Sequence, residues 1–167
     1  MNSIGLWLVK SQAIAASPAV TSVTVTNAFT SDFDNYRIVV SGVTSSAQQN
    51  MLFQFVAGGV PVGSANYAST GFYQVSGPSL NGIFATNWTT WEIMPMNTSG
   101  TNHISFDLFA PNKAERSRAN GFGGMNEVVS FFYTGLHQLA TAYTDFRLVV
   151  TGGTFNGGFI RVYGYRN

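Results

Sequence analysis

The chain has no cysteine and very little charge. Without cysteine there can be no disulfide, no thiolate metal site and no cysteine nucleophile. A fold of this size does not need disulfides, so their absence is compatible with assembly in a reducing cytoplasm. Charged residues make up 9% of the 167 residues and the net charge is +1, against roughly 25% charged in an ordinary soluble domain. Such a balance creates no long-range field to draw the protein to nucleic acid or an anionic membrane, so neither is expected as a partner. Histidine is scarce too: His103 and His137 cannot build a three-histidine zinc site, and neither lies in a His-Glu-x-x-His arrangement. No apolar run approaches the roughly 18 residues that cross a bilayer as a helix. Ile4–Val9 followed by Ala13–Ala16 loosely imitates a signal peptide, but Lys10 follows the apolar segment rather than preceding it. An uncleaved chain is expected, with Gly5–Ile14 as a first strand.

What remains is apolar and uncharged-polar. Hydrophobic residues are 45% of the chain and aromatic residues 14%, enough for a real core in one domain spanning residues 1–167. The surface must be made largely of Ser, Thr, Asn, Gln, Gly and aromatic edges, which suits a protein packed against copies of itself or a larger assembly.

Short β-rich runs are separated by Gly, Ser, Asn and Pro. Ser22–Phe29 alternates Val23 and Val25 with Thr24 and Thr26, and His103–Phe109 places Ile104, Phe106 and Leu108 on one face. Tyr36–Val43, Met51–Val56, Phe72–Val75, Trp91–Met96, Val128–Tyr133, Phe146–Thr151 and Phe159–Tyr165 are further strand candidates. The expected fold is all-β, an antiparallel, jelly-roll-like β-sandwich of about ten strands. Asp34–Gly42 and Thr144–Gly152 share an aromatic, an Arg, three aliphatics, a hydroxyl residue and a Gly. They read as two equivalent strands, each buried on both faces and adjacent in one sheet, or as convergent strand chemistry.

Nothing in the chain reads as catalytic machinery. The acidic inventory is Asp32, Asp34, Glu92, Asp107, Glu115, Glu127 and Asp145. Its one close pair, Asp32 and Asp34, sits in a Thr30–Asn35 loop where Asp caps turns. There is no Gly-x-Ser-x-Gly elbow, and Gly121-Phe122-Gly123-Gly124 lacks the Lys and the strand-to-helix setting of a phosphate loop. It reads as a turn or bulge ahead of a strand. His103 and His137 read as surface hydrogen-bonding residues. No catalytic residue, cofactor or metal ligand is expected, and the protein is read as a non-enzyme. A glycan hydrolase, whose two carboxylates could come from anywhere in the fold, is a minor alternative.

Two groups point to binding. Lys113, Arg116 and Arg118, with Glu115, form the one dense charge cluster, between Ala110-Pro111-Asn112 and the glycine run. They read as an exposed loop tip: either a solvated loop, or a docking contact to an acidic partner surface or a neighbouring subunit. Trp88 and Trp91 flank Thr89–Thr90, with Tyr67, Phe72 and Tyr73 in a Gly/Ser/Asn-rich region. Aromatic faces near Asn and Gln suit sugars, though rings in a β fold more often fill the core or an interface.

Gly5-Leu6-Trp7-Leu8-Val9-Lys10-Ser11-Gln12-Ala13-Ile14, Val23-Thr24-Val25-Thr26-Asn27-Ala28-Phe29, Phe33-Asp34-Asn35-Tyr36-Arg37-Ile38-Val39 and the closing Gly158-Phe159-Ile160-Arg161-Val162-Tyr163-Gly164-Tyr165-Arg166 resemble a recurrent module of tailed-phage virion proteins. The resemblance covers both ends well and the middle loosely. It implies a jelly-roll-like fold, trimeric assembly and a place on the outside of a phage particle. It implies no catalytic residue. In the family the module occurs alone or at the end of fibre-like proteins. Because it begins here directly after Met1, the expectation is a capsid cement or decoration protein, a homotrimer bound to the major capsid protein lattice. The alternative is a receptor-binding tail-fibre tip that recognises host glycan through Trp88 or Trp91.

Overall fold

The computed structural model describes residues 5–74, 79–98, 100–125 and 129–166. Val75, Glu127 and Val128 lie outside them. The described residues contain no helix, and hence none long and apolar enough to cross a membrane.

The strands are β1 (Leu6–Ala13), β2 (Ser22–Val25), β3 (Asn35–Ser45), β4 (Gln49–Ala57), β5 (Val60–Pro61), β6 (Tyr67–Gln74) and β7 (Leu80–Trp88) in the first half. The second half adds β8 (Trp91–Met96), β9 (Asn102–Phe109), β10 (Arg116–Met125), β11 (Val129–Ala140), β12 (Asp145–Val150), β13 (Phe155–Asn156) and β14 (Phe159–Tyr165). They form an antiparallel, jelly-roll-like sandwich. The larger sheet runs β1-β14-β3-β9-β10-β11-β6-β7, with β13 also on β3; the smaller runs β2-β12-β4-β5, with β8 also on β4.

Alternation decides which face each strand buries. In β3, Tyr36, Ile38 and Val40 are buried while Arg37 and Val39 are half-exposed; in β9, Ile104, Phe106 and Leu108 are buried. Against them the smaller sheet sets Phe53 and Phe55 of β4, Trp91 and Ile93 of β8, and Phe146 and Leu148 of β12. The two layers meet through rings. Phe53 meets Phe106 of the opposite sheet edge-on at 5.8 Å and stacks on Phe146 at 5.1 Å and on Trp91 at 5.2 Å. Each such pair contributes about 0.5–1.5 kcal/mol beyond the area it buries.

Three sequence expectations are corrected. The similar segments Asp34–Gly42 and Thr144–Gly152 become β3 and β12, which lie in opposite sheets rather than side by side. Each alternates, burying one face fully, so their continuous apolar runs do not mean burial on both faces. Their aromatics instead converge on Phe29, which meets Tyr36 edge-on at 5.0 Å and stacks on Phe146 at 5.6 Å. Gly121–Gly124 is not a turn but the middle of β10. Gly121 and Gly123 are bare because a Cβ there would collide with Phe106 and with the backbone at His103 of β9. His137 is not on the surface: it is fully buried in β11, ringed by Tyr67 at 4.4 Å, Phe55 at 5.1 Å and Tyr143 at 5.4 Å. Desolvation pushes its pKa down to about 4 against the pull of the Leu139 backbone, so it is neutral.

Candidate functional site

The face of the larger sheet turned away from the core carries the feature that alternation alone does not explain. On β9, β10, β11, β6 and β7 the outward positions fall into register across the ladder. One row reads Ser105, Phe122, Phe132, Phe72 and Gly82; the next reads Asp107, Asn120, Thr134, Thr70 and Phe84. Phe122 is 68% exposed, Phe84 77%, Leu80 68%, Phe72 50% and Phe132 40%. Phe72 and Phe132 stack at 5.3 Å. These five side chains lie on adjoining strands and form one apolar patch, bordered by Arg37 and Asp107 beside Phe122 and by Arg118 beside Phe84.

Beside the patch a groove of about 360 Å³ is lined by Thr70, Phe84, Phe109, Arg118, Asn120, Thr134 and Leu136, among others. Among the described residues, the side chains of Thr70, Arg118, Asn120 and Thr134 have no hydrogen-bond or ion-pair partner. Their donors and acceptors are open to a ligand.

At its β3 side the face is closed by an ion pair. The Arg37 guanidinium holds Asp107 in a fork, Nε to Oδ1 at 2.8 Å and Nη2 to Oδ2 at 3.0 Å, and the Tyr165 hydroxyl donates to Oδ1 at 2.5 Å. Burial would raise the Asp107 carboxyl, but the bonds from Arg37 and Tyr165 outweigh it and hold the carboxyl below its ordinary value. Burial, and then the bond to Asp107, pushes Tyr165 up to about 12. This carboxylate is neutralised in place and is not a free acid or base.

The residues singled out from sequence scatter. Lys113 lies in the turn before β10 and pairs with Asp34 at 2.7 Å, so it is a tie between two loops. Arg116 opens β10 beside a bulge and is exposed; Arg118 stands on the outer face and lines the groove. The cluster is therefore not a single loop tip. Trp88 ends β7 at 42% exposure. Trp91 is corrected as a sugar contact: it is fully buried, stacked on Phe53, with its Nε1 donating to the Leu136 carbonyl at 3.1 Å. Tyr67 is likewise core, its hydroxyl accepting from the Phe55 amide at 3.0 Å. Asp32 sits in the expected turn, accepting from the Thr30 hydroxyl at 3.2 Å. Among the described residues no three His, Asp or Glu side chains are grouped so as to hold a metal.

Of the exposed phenylalanines the sequence singled out only Phe72, yet a signal for Phe132 was present as well. Phe131-Phe132 and Phe72-Tyr73 are adjacent aromatics in strands, and adjacent strand residues face opposite ways. One ring of each pair had to point away from the core.

No family model matches the chain, and no curated protein matches it. Among solved structures, the exo-inulinase from Aspergillus awamori aligns over 96% of this chain at 12% identity and a TM-score of 0.49, and the chain spans only 29% of its length. An ancestral congerin aligns over 84% of this chain and 98% of its own, at 13% identity and a TM-score of 0.39. The Caenorhabditis elegans galectin LEC-6 aligns over 85% and 90%, at 8% identity and a TM-score of 0.38. At such values these likenesses say nothing of what this chain binds or does.

Proposed function

We propose that the protein is a structural component of a tailed-phage particle, a capsid decoration or cement protein that acts by binding and not by catalysis. The observation that carries this reading is the apolar patch of Phe72, Leu80, Phe84, Phe122 and Phe132 on an outer sheet face. Soluble monomers seldom expose contiguous apolar patches beyond about 300–600 Å² unless the patch has a use. The 9% charge content and the pairing of Arg37 with Asp107 mean that little unmatched charge is desolvated when this face is covered. Cementing then works by addition: many interfaces, each of about 1,200–2,000 Å², clamp neighbouring capsomers against internal pressure. The phage setting is supported by the resemblance of the two chain ends. Those segments form β1, β14 and the start of β3, consecutive strands of the larger sheet, together with most of β2 in the smaller sheet.

The test is to locate the protein in intact particles by imaging, strip it, and rebind purified protein. Density on the head surface with saturable rebinding is the expected result. Absence from the head, or failure to rebind, overturns the cement role.

A second reading, a glycan-binding fibre tip, is favoured by the groove, where four unpartnered polar side chains surround the exposed Phe84 ring. It expects glycan-array binding that falls on Phe84→Ala or Asn120→Ala while the fold survives. Trp88, exposed but outside the groove lining, is expected to matter less. No glycan bound at millimolar concentration overturns it.

A further inference from the structure

The apolar row on the larger sheet has a shape as well as a composition. From β10 to β7 it runs Phe122, Phe132, Phe72, Gly82. At one end Phe122 stands out as a knob, 68% exposed. At the other end Gly82 is a notch, between Leu80 and Phe84 on the same strand and beside Phe72. A Cβ built on Gly82 meets nothing within 4 Å, so the notch is open. Strands lie about 4.8 Å apart, which puts knob and notch about 14 Å from each other within one chain.

We propose that the occupant of this face is a second copy of the chain, packed face to face about a twofold axis that runs parallel to the strands between β11 and β6. That axis exchanges β10 with β7 and β11 with β6. Phe122 of each copy then enters the Gly82 notch of the other, and Phe132 of each meets Phe72 of the other. An isologous contact needs a self-complementary surface, and a knob and a notch at equal distances from one line supply it.

Size and charge agree. Aromatic side chains present roughly 150–250 Å² each, so at the exposures given above the five residues offer about 500–600 Å² of apolar surface per copy. Two copies bury about 1,000 Å² from these side chains alone, and the surrounding Ser, Thr, Asn and Gln bring the total into the range of a specific interface. Ser105, Asn120, Thr134, Thr70, Ser130 and Gln74, the outward neighbours of the row, are all uncharged. Arg118 falls at the rim, and Asp107 is already matched by Arg37. No unpaired charge is trapped.

This inference rests on the structural-module reading and sharpens it to a twofold pairing, in place of the trimer that the resemblance implies. The chain has no cysteine, so introduced thiols report cleanly. In the proposed pair Asn120 of one copy faces Phe84 of the other. Within one chain those positions are about 14 Å apart, whereas packed sheets lie about 10 Å apart, so across the pair the two thiols come within reach of a short bismaleimide though not of a disulfide. The double variant Asn120→Cys/Phe84→Cys keeps Phe122 and Gly82 in place and should give a covalent dimer with that reagent, while either single variant should not. Light scattering should report a wild-type dimer at concentrations of about 100 µM or below, and Gly82→Trp should weaken it at least about tenfold without unfolding the protein. A wild-type monomer or trimer, a double variant that crosslinks no faster than the singles, or a Gly82→Trp dimer as tight as wild type overturns the pairing. Wild-type protein separates the two claims: a monomer that rebinds stripped particles overturns the pairing alone, and a dimer that does not rebind overturns the cement reading alone.

Discussion

The indole of Trp91 lies against the bare Cα of Gly135, so close that a Cβ on that glycine would stand 2.9 Å from the ring. Trp91 belongs to the smaller sheet and Gly135 to β11 of the larger, so this contact sets how near the two layers approach. Gly135→Ala forces one of them to move, and overpacking of this kind costs about 1–3 kcal/mol. Chemical denaturation should show a lowered midpoint with an unchanged slope.

The two tryptophans that sequence placed together should part company on substitution. Trp91→Ala empties a ring-lined core site and should cost about 3–5 kcal/mol. Trp88, 42% exposed at the end of β7, should cost less than about 1 kcal/mol when changed to Ala. Equal losses in thermal unfolding would contradict the placement of both residues.

Asp107 ties β9 to β3 through Arg37 and to β14 through Tyr165. Its carboxyl is held below the ordinary 3.8. That stabilisation is therefore complete above the unfolded value and lost as pH falls through the folded one, below about pH 4. Tyr165 has the opposite sign: raised from 10.0 to about 12, it stabilises fully below pH 10 and loses the contribution as pH rises towards 12. Asp107→Asn should cost about 1–3 kcal/mol at neutral pH, shrink in effect in acid, and bring the tyrosinate absorbance transition of Tyr165 down towards 10.

Much of the architecture was legible because one physical rule, apolar alternation at a period of two, governs strands with one wet face. Trp91–Met96 and Phe159–Tyr165 match β8 and β14 to the residue, and β3, β4, β9 and β12 differ only at their ends. β7 and β10 were missed. Asn81, Gly82, Gly121, Gly123 and Gly124 give those strands the composition of turns, and the reason for the glycines in β10 is a neighbour, Phe106, distant in sequence. The same limit applies to the outer face. Phe72, Phe84, Phe122 and Phe132 lie far apart in the chain, and only the register of β10, β11, β6 and β7 assembles them. Arg118 was found by its charge but assigned to a loop, because the strand that carries it opens at a bulge.

His137 gives the fold a pH dependence of its own in the acid range. Its neighbours Tyr67, Phe55, Trp91 and Tyr143 are uncharged in acid, so nothing around it compensates an imidazolium. The folded pKa of about 4 lies below the ordinary 6.5, so the unfolded chain takes up the proton first. Stability is then full above pH 6.5 and falls steadily down to pH 4, by an amount on the order of 3 kcal/mol. His137→Leu keeps the volume and removes the titration. Urea midpoints measured for both proteins between pH 4 and 7 should converge in stability at neutral pH and diverge in acid, with the leucine variant the more stable. A parallel decline in the two would mean that the imidazole is reached by water in the folded state.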